Sequence, residues 1–168
     1  THRSDDLLWL DFITLNYLDE TADDAILDIK KNFLPDPKTK EVSEGTLYDH
    51  CLRAIDKVFT RFSPRGLPLM GECDWNDGLS HVGIKWKGES IWLGHFLYGI
   101  LNRIAPIMQE RGDKKKAAEL QDKFLTKVEQ SPLIDELKTI YKSGVAEIDP
   151  LDLTGSLKGR KNLYNHIE

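Results

Sequence analysis

Two segments, Leu7 to Leu18 and Ile91 to Met108, carry apolar residues around most of a helical circumference, and this restricts the architecture more than any other feature. In the first, Leu7, Leu8, Trp9, Leu10, Phe12, Ile13, Leu15, Tyr17 and Leu18 leave little polar face. In the second, Ile91, Trp92, Leu93, Phe96, Leu97, Tyr98, Ile100, Leu101, Ile104 and Met108 do the same. Helices apolar all round predict burial on several sides. Between and after them lie segments of opposite character. Tyr48, Cys51, Leu52, Ile55, Val58, Phe59 and Phe62 form one stripe at helical spacing, as do Ala117, Leu120, Phe124 and Val128 within Asp113 to about Gln130. A single stripe with charge elsewhere predicts a surface helix. Buried helices alternating with surface ones predict an all-α, two-layer array with an inner ring wrapped by an outer ring.

Terminal signals sharpen the boundaries. Ser4 before Asp5 and Asp6 reads as an N-cap followed by acids that suit the positive end of a helix dipole. Thr46 and Asp49 read as a capping box. Glu89 and Ser90 open the second all-apolar helix, which Pro106 is expected to kink or shorten. A short helix from about Asp23 to Asn32 is expected to stop before Pro35 and Pro37, and another is expected from Pro132 to about Lys142. No strand pattern competes. From Ser143 the tail turns irregular, so the chain divides into a helical domain, 1–142, and a divergent tail, 143–168.

At 168 residues and 40% hydrophobic, the chain is expected to form one domain with a buried core. A net charge of -5 with mixed signs excludes the basic face a nucleic-acid partner requires, and Lys114 to Lys116 is too short a run to supply one. No stretch approaches the about twenty apolar residues of a membrane span, and the first residues lack the regions of a signal peptide. Two cysteines, Cys51 and Cys73, make neither a disulfide framework nor a metal-ligand set, which predicts a reducing, cytoplasmic setting. Without an initiator methionine, the chain reads as a piece of something longer.

The stretch Gly66 to Trp92, a long non-periodic loop running into the second all-apolar helix, is where function is expected. Its glycines Gly66, Gly71, Gly78, Gly83 and Gly88 suit tight turns, and Trp75 and Trp86 argue against disorder. Within it Asp74, Trp75, Asn76 and Asp77 set two carboxylates beside an indole and an amide. Sugar chemistry uses such groups: a carboxyl that stays protonated to donate to a glycosidic oxygen, polar groups for hydroxyls, and an aromatic face for the ring. Burial against Trp75 and repulsion from Asp74 would both raise the pKa of Asp77. The chemistry alone does not choose between the two acids. Asp and Asn before Gly78 also serve as plain turn formers. A calcium loop fits poorly, since the glycine comes early and no acidic twelfth ligand follows. His50, His81 and His95 are candidate acid-base groups but read more naturally as structural histidines, and Cys73 has no adjacent cation to favour a thiolate.

The blocks GLPLMG, DWNDG, VG and KGESIWLG, with SDDLLWL near the start and TLYDHCLRAID between, resemble the inverting sugar phosphorylases of glycoside hydrolase family ninety-four. That group includes cellobiose, cellodextrin, chitobiose and β-1,2-oligoglucan phosphorylases and the phosphorylase portion of cyclic β-1,2-glucan synthases. The resemblance runs in order from about Thr1 to Gln121. It implies an (α/α)6 barrel, here incomplete, with residues 1–142 a partial catalytic segment. It implies reversible phosphorolysis of a β-glucoside to α-glucose 1-phosphate with inversion, inorganic phosphate being co-substrate and no cofactor or metal being needed. By the same resemblance Asp77 is the general acid, Trp75 belongs to the donor-sugar site, and Asp5 and Asp6 hold donor hydroxyls; Asp74 and Asn76, polar groups flanking Trp75, are expected to bind substrate with them. The arginine expected upstream of SDD would precede Thr1, and the later phosphate- and sugar-binding segments have no counterpart in Leu125 to Glu168. The chain on its own is thus expected to hold part of a site, with the remainder of a barrel or a second copy as partner. Rival expectations are an inverting hydrolase on the same barrel type and a non-catalytic half-barrel.

Overall fold

The computed structural model describes residues 3–76, 78 and 81–129. The helix expected from Pro132 and the tail 143–168 lie outside them. The described residues are mostly helical: α1 (Asp6–Thr21), α2 (Leu47–Phe59), α3 (Ile91–Glu110) and α4 (Lys114–Glu129). The α3 helix packs against both α1 and α4, and α1 against α2.

The capping box forms as the sequence predicts. Thr46 Oγ1 accepts from Asp49 N–H at 3.1 Å, and Asp49 Oδ2 accepts from Thr46 N–H at 2.9 Å. The α2 stripe Tyr48, Cys51, Leu52, Ile55, Val58 and Phe59 is buried, with Ile55 and Val58 fully so. Facing it are Leu8 and Leu15 of α1, Leu97, Ile100, Leu101 and Met108 of α3, and Ala117, Leu120 and Phe124 of α4. Tyr48 Oη donates to Asp113 Oδ2 at 2.7 Å, tying α2 to the start of α4.

Several local expectations are corrected. The segment Asp23 to Asn32 is helical only in its first half: a 3-10 helix covers Asp24–Asp28, and Lys30–Asn32 (β1) pairs antiparallel with Glu44–Thr46 (β2). The three β1 residues are all exposed, so a helix there would bury no face, whereas pairing satisfies their backbone groups. A small strand ribbon therefore accompanies the helices. Ser4 does not cap α1. Asp5 occupies the N-cap position, without a side-chain cap bond, while the Ser4 hydroxyl goes to the Cys73 carbonyl. The α3 helix runs through Pro106 to Glu110 rather than stopping at it.

Neither all-apolar helix is buried on every side. In α1 the buried residues Leu8, Asp11, Thr14, Leu15 and Leu18 form one stripe, and Leu10, Ile13 and Tyr17 remain exposed. In α3 the burial begins at Leu93, and Ile91 and Trp92 stay exposed. Asp11 is the exception inside that stripe. Both its carboxylate oxygens lack a hydrogen-bond partner, beside a cavity of about 10 Å³ that Thr14, Tyr48 and Cys51 help to line. Burial pushes the Asp11 carboxyl up to about 8 and the Cys51 thiol up to about 12.

Candidate active site

The loop between α2 and α3 is shaped by backbone contacts that only glycine permits. A Cβ on Gly83 would lie 2.0 Å from the Gly71 carbonyl oxygen, and one on Gly88 would lie 2.6 Å from that of Val82. Short antiparallel bridges join Phe62 to Pro68, Leu69 to Glu89, and Arg3 to Gly71. The last brings the start of the chain onto the loop. Arg65 pairs with Glu89 through two of its guanidinium nitrogens, Nε to Oε1 and Nη2 to Oε2, closing the loop's base.

Two tethers meet at consecutive residues. The Cys73 carbonyl accepts from Ser4 N–H at 3.1 Å and from the Ser4 hydroxyl at 3.4 Å. Asp74 is 6% exposed, and its Oδ2 accepts from the Ser90 hydroxyl at 2.5 Å while its Oδ1 accepts from Asn76 N–H at 3.0 Å. Ser90 is the N-cap of α3, its Oγ accepting from Leu93 N–H at 3.0 Å. Asn76 repeats the local pattern, its Oδ1 accepting from Gly78 N–H at 3.0 Å.

Trp75 follows these tethers and is 64% exposed. Its ring stacks on Trp92 at 6.1 Å between centroids and lies 5.7 Å from Trp9. Phe96 backs the group, 4.9 Å from Trp9 and 5.1 Å from Trp92. Three indoles from α1, the loop and α3 thus form one rack, open on the Trp75 side. Asp5 lies beneath it: only 4% exposed, it accepts from Trp9 Nε1–H at 2.9 Å through Oδ2, while its Oδ1 is buried without a partner. Asp6 is half-buried in the first turn of α1.

The structure thus brings Asp5, Asp74 and Trp75 together on one side of the loop, with Asn76 adjoining. Asp77 lies outside the described residues. His81 is exposed, and His95 is half-buried with its imidazole pKa lowered by burial. His50 stacks on Phe33 at 3.8 Å and hydrogen-bonds the Lys31 carbonyl, a structural role in the ribbon. Cys73 is buried and forms no disulfide with Cys51. Among the described residues no three His, Cys, Asp or Glu side chains gather as a metal-holding group, and no helix is long and apolar enough to cross a membrane.

The sequence reading did not single out Trp9, Trp92 and Ser90 for the site. A signal was present for one of them: Asp5 and Trp9 are four apart, the spacing that lets helical side chains meet. A wider cleft of about 410 Å³ opens elsewhere, at the start of α4, lined by Asp56, Lys115, Lys116, Glu119 and Lys123. Its charges largely neutralise one another, as in Lys116 with Asp56 at 3.2 Å and Lys115 with Glu119 at 3.7 Å.

Over 130 residues the chain is 36% identical to the cyclic beta-(1,2)-glucan synthase NdvB of Rhizobium meliloti (strain 1021), covering 70% of this chain and 5% of that protein. It is 33% identical over 107 residues to solabiose phosphorylase of Paenibacillus borealis, covering 64% of this chain and 13% of the relative. It is 28% identical over 118 residues to 3-O-beta-D-glucopyranosyl-beta-D-glucuronide phosphorylase of the same organism, covering 70% of this chain and 15% of the relative. The chain spans well under a fifth of the length of each. The profile of the glycosyl hydrolase 94 superfamily catalytic domain matches residues 1–132, so the chain belongs to that superfamily, among whose members are glycoside phosphorylases.

Proposed function

We propose that this chain carries the acid-loop part of a phosphorylase site that cleaves a β-linked gluco-oligosaccharide with inorganic phosphate. The observation that carries the reading is the unpartnered Asp5 Oδ1 buried beneath the Trp9, Trp75 and Trp92 rack. A buried acceptor without a donor costs about 1–3 kcal/mol, a cost that a sugar hydroxyl donating to it would offset. The rack next to it offers the apolar face on which a pyranose ring stacks. Asp6 and Asn76 adjoin the same region as further hydroxyl partners.

In the reaction the Asp77 carboxyl donates its proton to the glycosidic oxygen of the leaving sugar. A phosphate oxygen attacks the anomeric carbon from the opposite face. The carbon–oxygen bond to the acceptor breaks as the bond to phosphate forms, giving α-glucose 1-phosphate with inversion, and the reverse direction uses the same groups. Because phosphate is already a nucleophile, no second carboxylate is required as base. The remaining groups of an (α/α)6 barrel, including those that hold phosphate, would come from the remainder of a barrel, since Leu125 to Glu168 offers no counterpart for them. The proposed setting is the cytoplasm, which suits two cysteines that form no disulfide.

The test is to incubate the full-length protein with β-linked gluco-oligosaccharides with and without phosphate and to measure α-glucose 1-phosphate. Product is expected only with phosphate, and Asp77→Asn is expected to abolish it. Release of free glucose without phosphate would instead support the hydrolase alternative.

A second reading has its own support: Ile13 is 63% exposed and Trp92 37%, on the same side as Trp75. An apolar face of this kind marks an interface, which suits a non-catalytic half-barrel closed by the rest of a barrel or by a second copy. A stable, soluble monomer in size-exclusion chromatography would remove it.

A further inference from the structure

Asp74 adjoins the indole rack, and its carboxylate is fully engaged inside the protein. Two donors converge on it, the Ser90 hydroxyl at 2.5 Å and the Asn76 N–H at 3.0 Å. The Ser90 oxygen accepts from Leu93 N–H at 3.0 Å while its proton goes to Asp74 Oδ2, a carboxylate oxygen that can only accept. The two oxygens of the carboxylate take one donor each. Ser90 lies two residues before Trp92, and Asp74 immediately precedes Trp75. One hydrogen bond between buried side chains therefore fixes the separation of two stacked rings. The neighbouring tether, Ser4 on the Cys73 carbonyl, relates the same backbone to Asp5 and Trp9.

We propose that Asp74, acting through Ser90, is the positioning residue that sets Trp75 against Trp92 and Trp9, and that it makes no contact with sugar. The proposal rests on the phosphorylase reading only for the use to which the rack is put. The tether itself stands on the hydrogen bonds.

The carboxylate-to-amide variant isolates it. In Asp74→Asn the side chain keeps its shape but loses one acceptor: whichever way the amide turns, an N–H faces either the Asn76 N–H or the Ser90 hydroxyl. Coupled indoles give a near-ultraviolet circular dichroism band, and Trp75→Phe in the full chain defines how much of that band the rack supplies. Asp74→Asn and Ser90→Ala are each expected to lose most of that contribution with far-ultraviolet helicity unchanged. The double variant is expected to lose no more than the worse single one, because both break the same link. In the full-length enzyme, Asp74→Asn is expected to lower kcat/KM for the oligosaccharide about 10- to 100-fold.

An Asp74→Ala chain, in which neither hydrogen bond can form, with the wild-type indole band overturns the proposal whatever its activity. Should that variant fail to fold, Ser90→Ala with an intact band overturns it equally. A wild-type protein that shows the rack signal yet never consumes a β-glucoside sinks the phosphorylase reading and leaves the tether standing.

Discussion

The two ends of α3 are built from the same kinds of residue and do opposite things. Toward its C-terminus Leu97, Ile100, Leu101 and Met108 are sealed against α1, α2 and α4, each at most 2% exposed. At its N-terminus Ile91 and Trp92 stand exposed, Trp92 against Trp75 and Trp9, above buried Asp5 and Asp74. The sealed end gains the burial that holds the fold together. The open end forgoes that gain and adds a buried carboxylate oxygen with no partner, a destabilising arrangement that a ligand would relieve. Residue type does not separate core from site here. What separates them is whether polar groups are gathered beneath the rings.

The largest effect should come from the sealed end. Leu97→Ala leaves a cavity where no neighbour is free to collapse and is expected to cost about 2–5 kcal/mol in urea denaturation, against a much smaller cost for truncation at the rack. A loss well below that range would mean that the two ends are alike after all.

Next comes Asp11, a carboxyl placed in the sealed half against its character. Its folded pKa, raised to about 8 by burial, lies above the unfolded value, so the folded state holds the proton more tightly. Below about pH 4 both states are protonated and there is no penalty; from there to about pH 8 the unfolded state releases its proton first, and stability falls as pH rises. Above that the penalty is constant. Asp11→Asn is expected to flatten this slope and to raise the melting temperature at neutral pH; an unchanged slope would show that Asp11 is hydrated in its cavity.

The smallest effect on stability, and a large one on binding, is expected from Trp75→Ala. With most of its ring in solvent, its loss should change unfolding free energy by about 1 kcal/mol or less. Quenching of indole fluorescence by a gluco-oligosaccharide should nonetheless disappear in the full-length protein. Loss of stability without loss of quenching would make Trp75 part of the core rather than the rack.

Much of this was legible locally. The Thr46 and Asp49 box, the α2 stripe and the glycines of the loop each depend on residues within a few positions, where helix and turn geometry leave little choice. The site was legible in part: Asp5, Asp74 and Trp75 do converge, but Trp9 and Trp92 looked like core and Ser90 like a helix start. The segment at Lys30–Asn32 misled because its outcome depends on a partner strand rather than on its own period.

By itself the sequence determined where α2 and α3 begin, that α2 carries a single stripe, that the loop must be glycine-bent, and to which superfamily the chain belongs. Tertiary structure alone decided which face of α1 is covered, that Ser4 serves Cys73 rather than its own helix, and that Asp74 is held by Ser90. The physical reason is reach. Caps and periodicity act over three or four residues, whereas burial and the pairing of a carboxylate are settled by groups that meet only once the chain has folded.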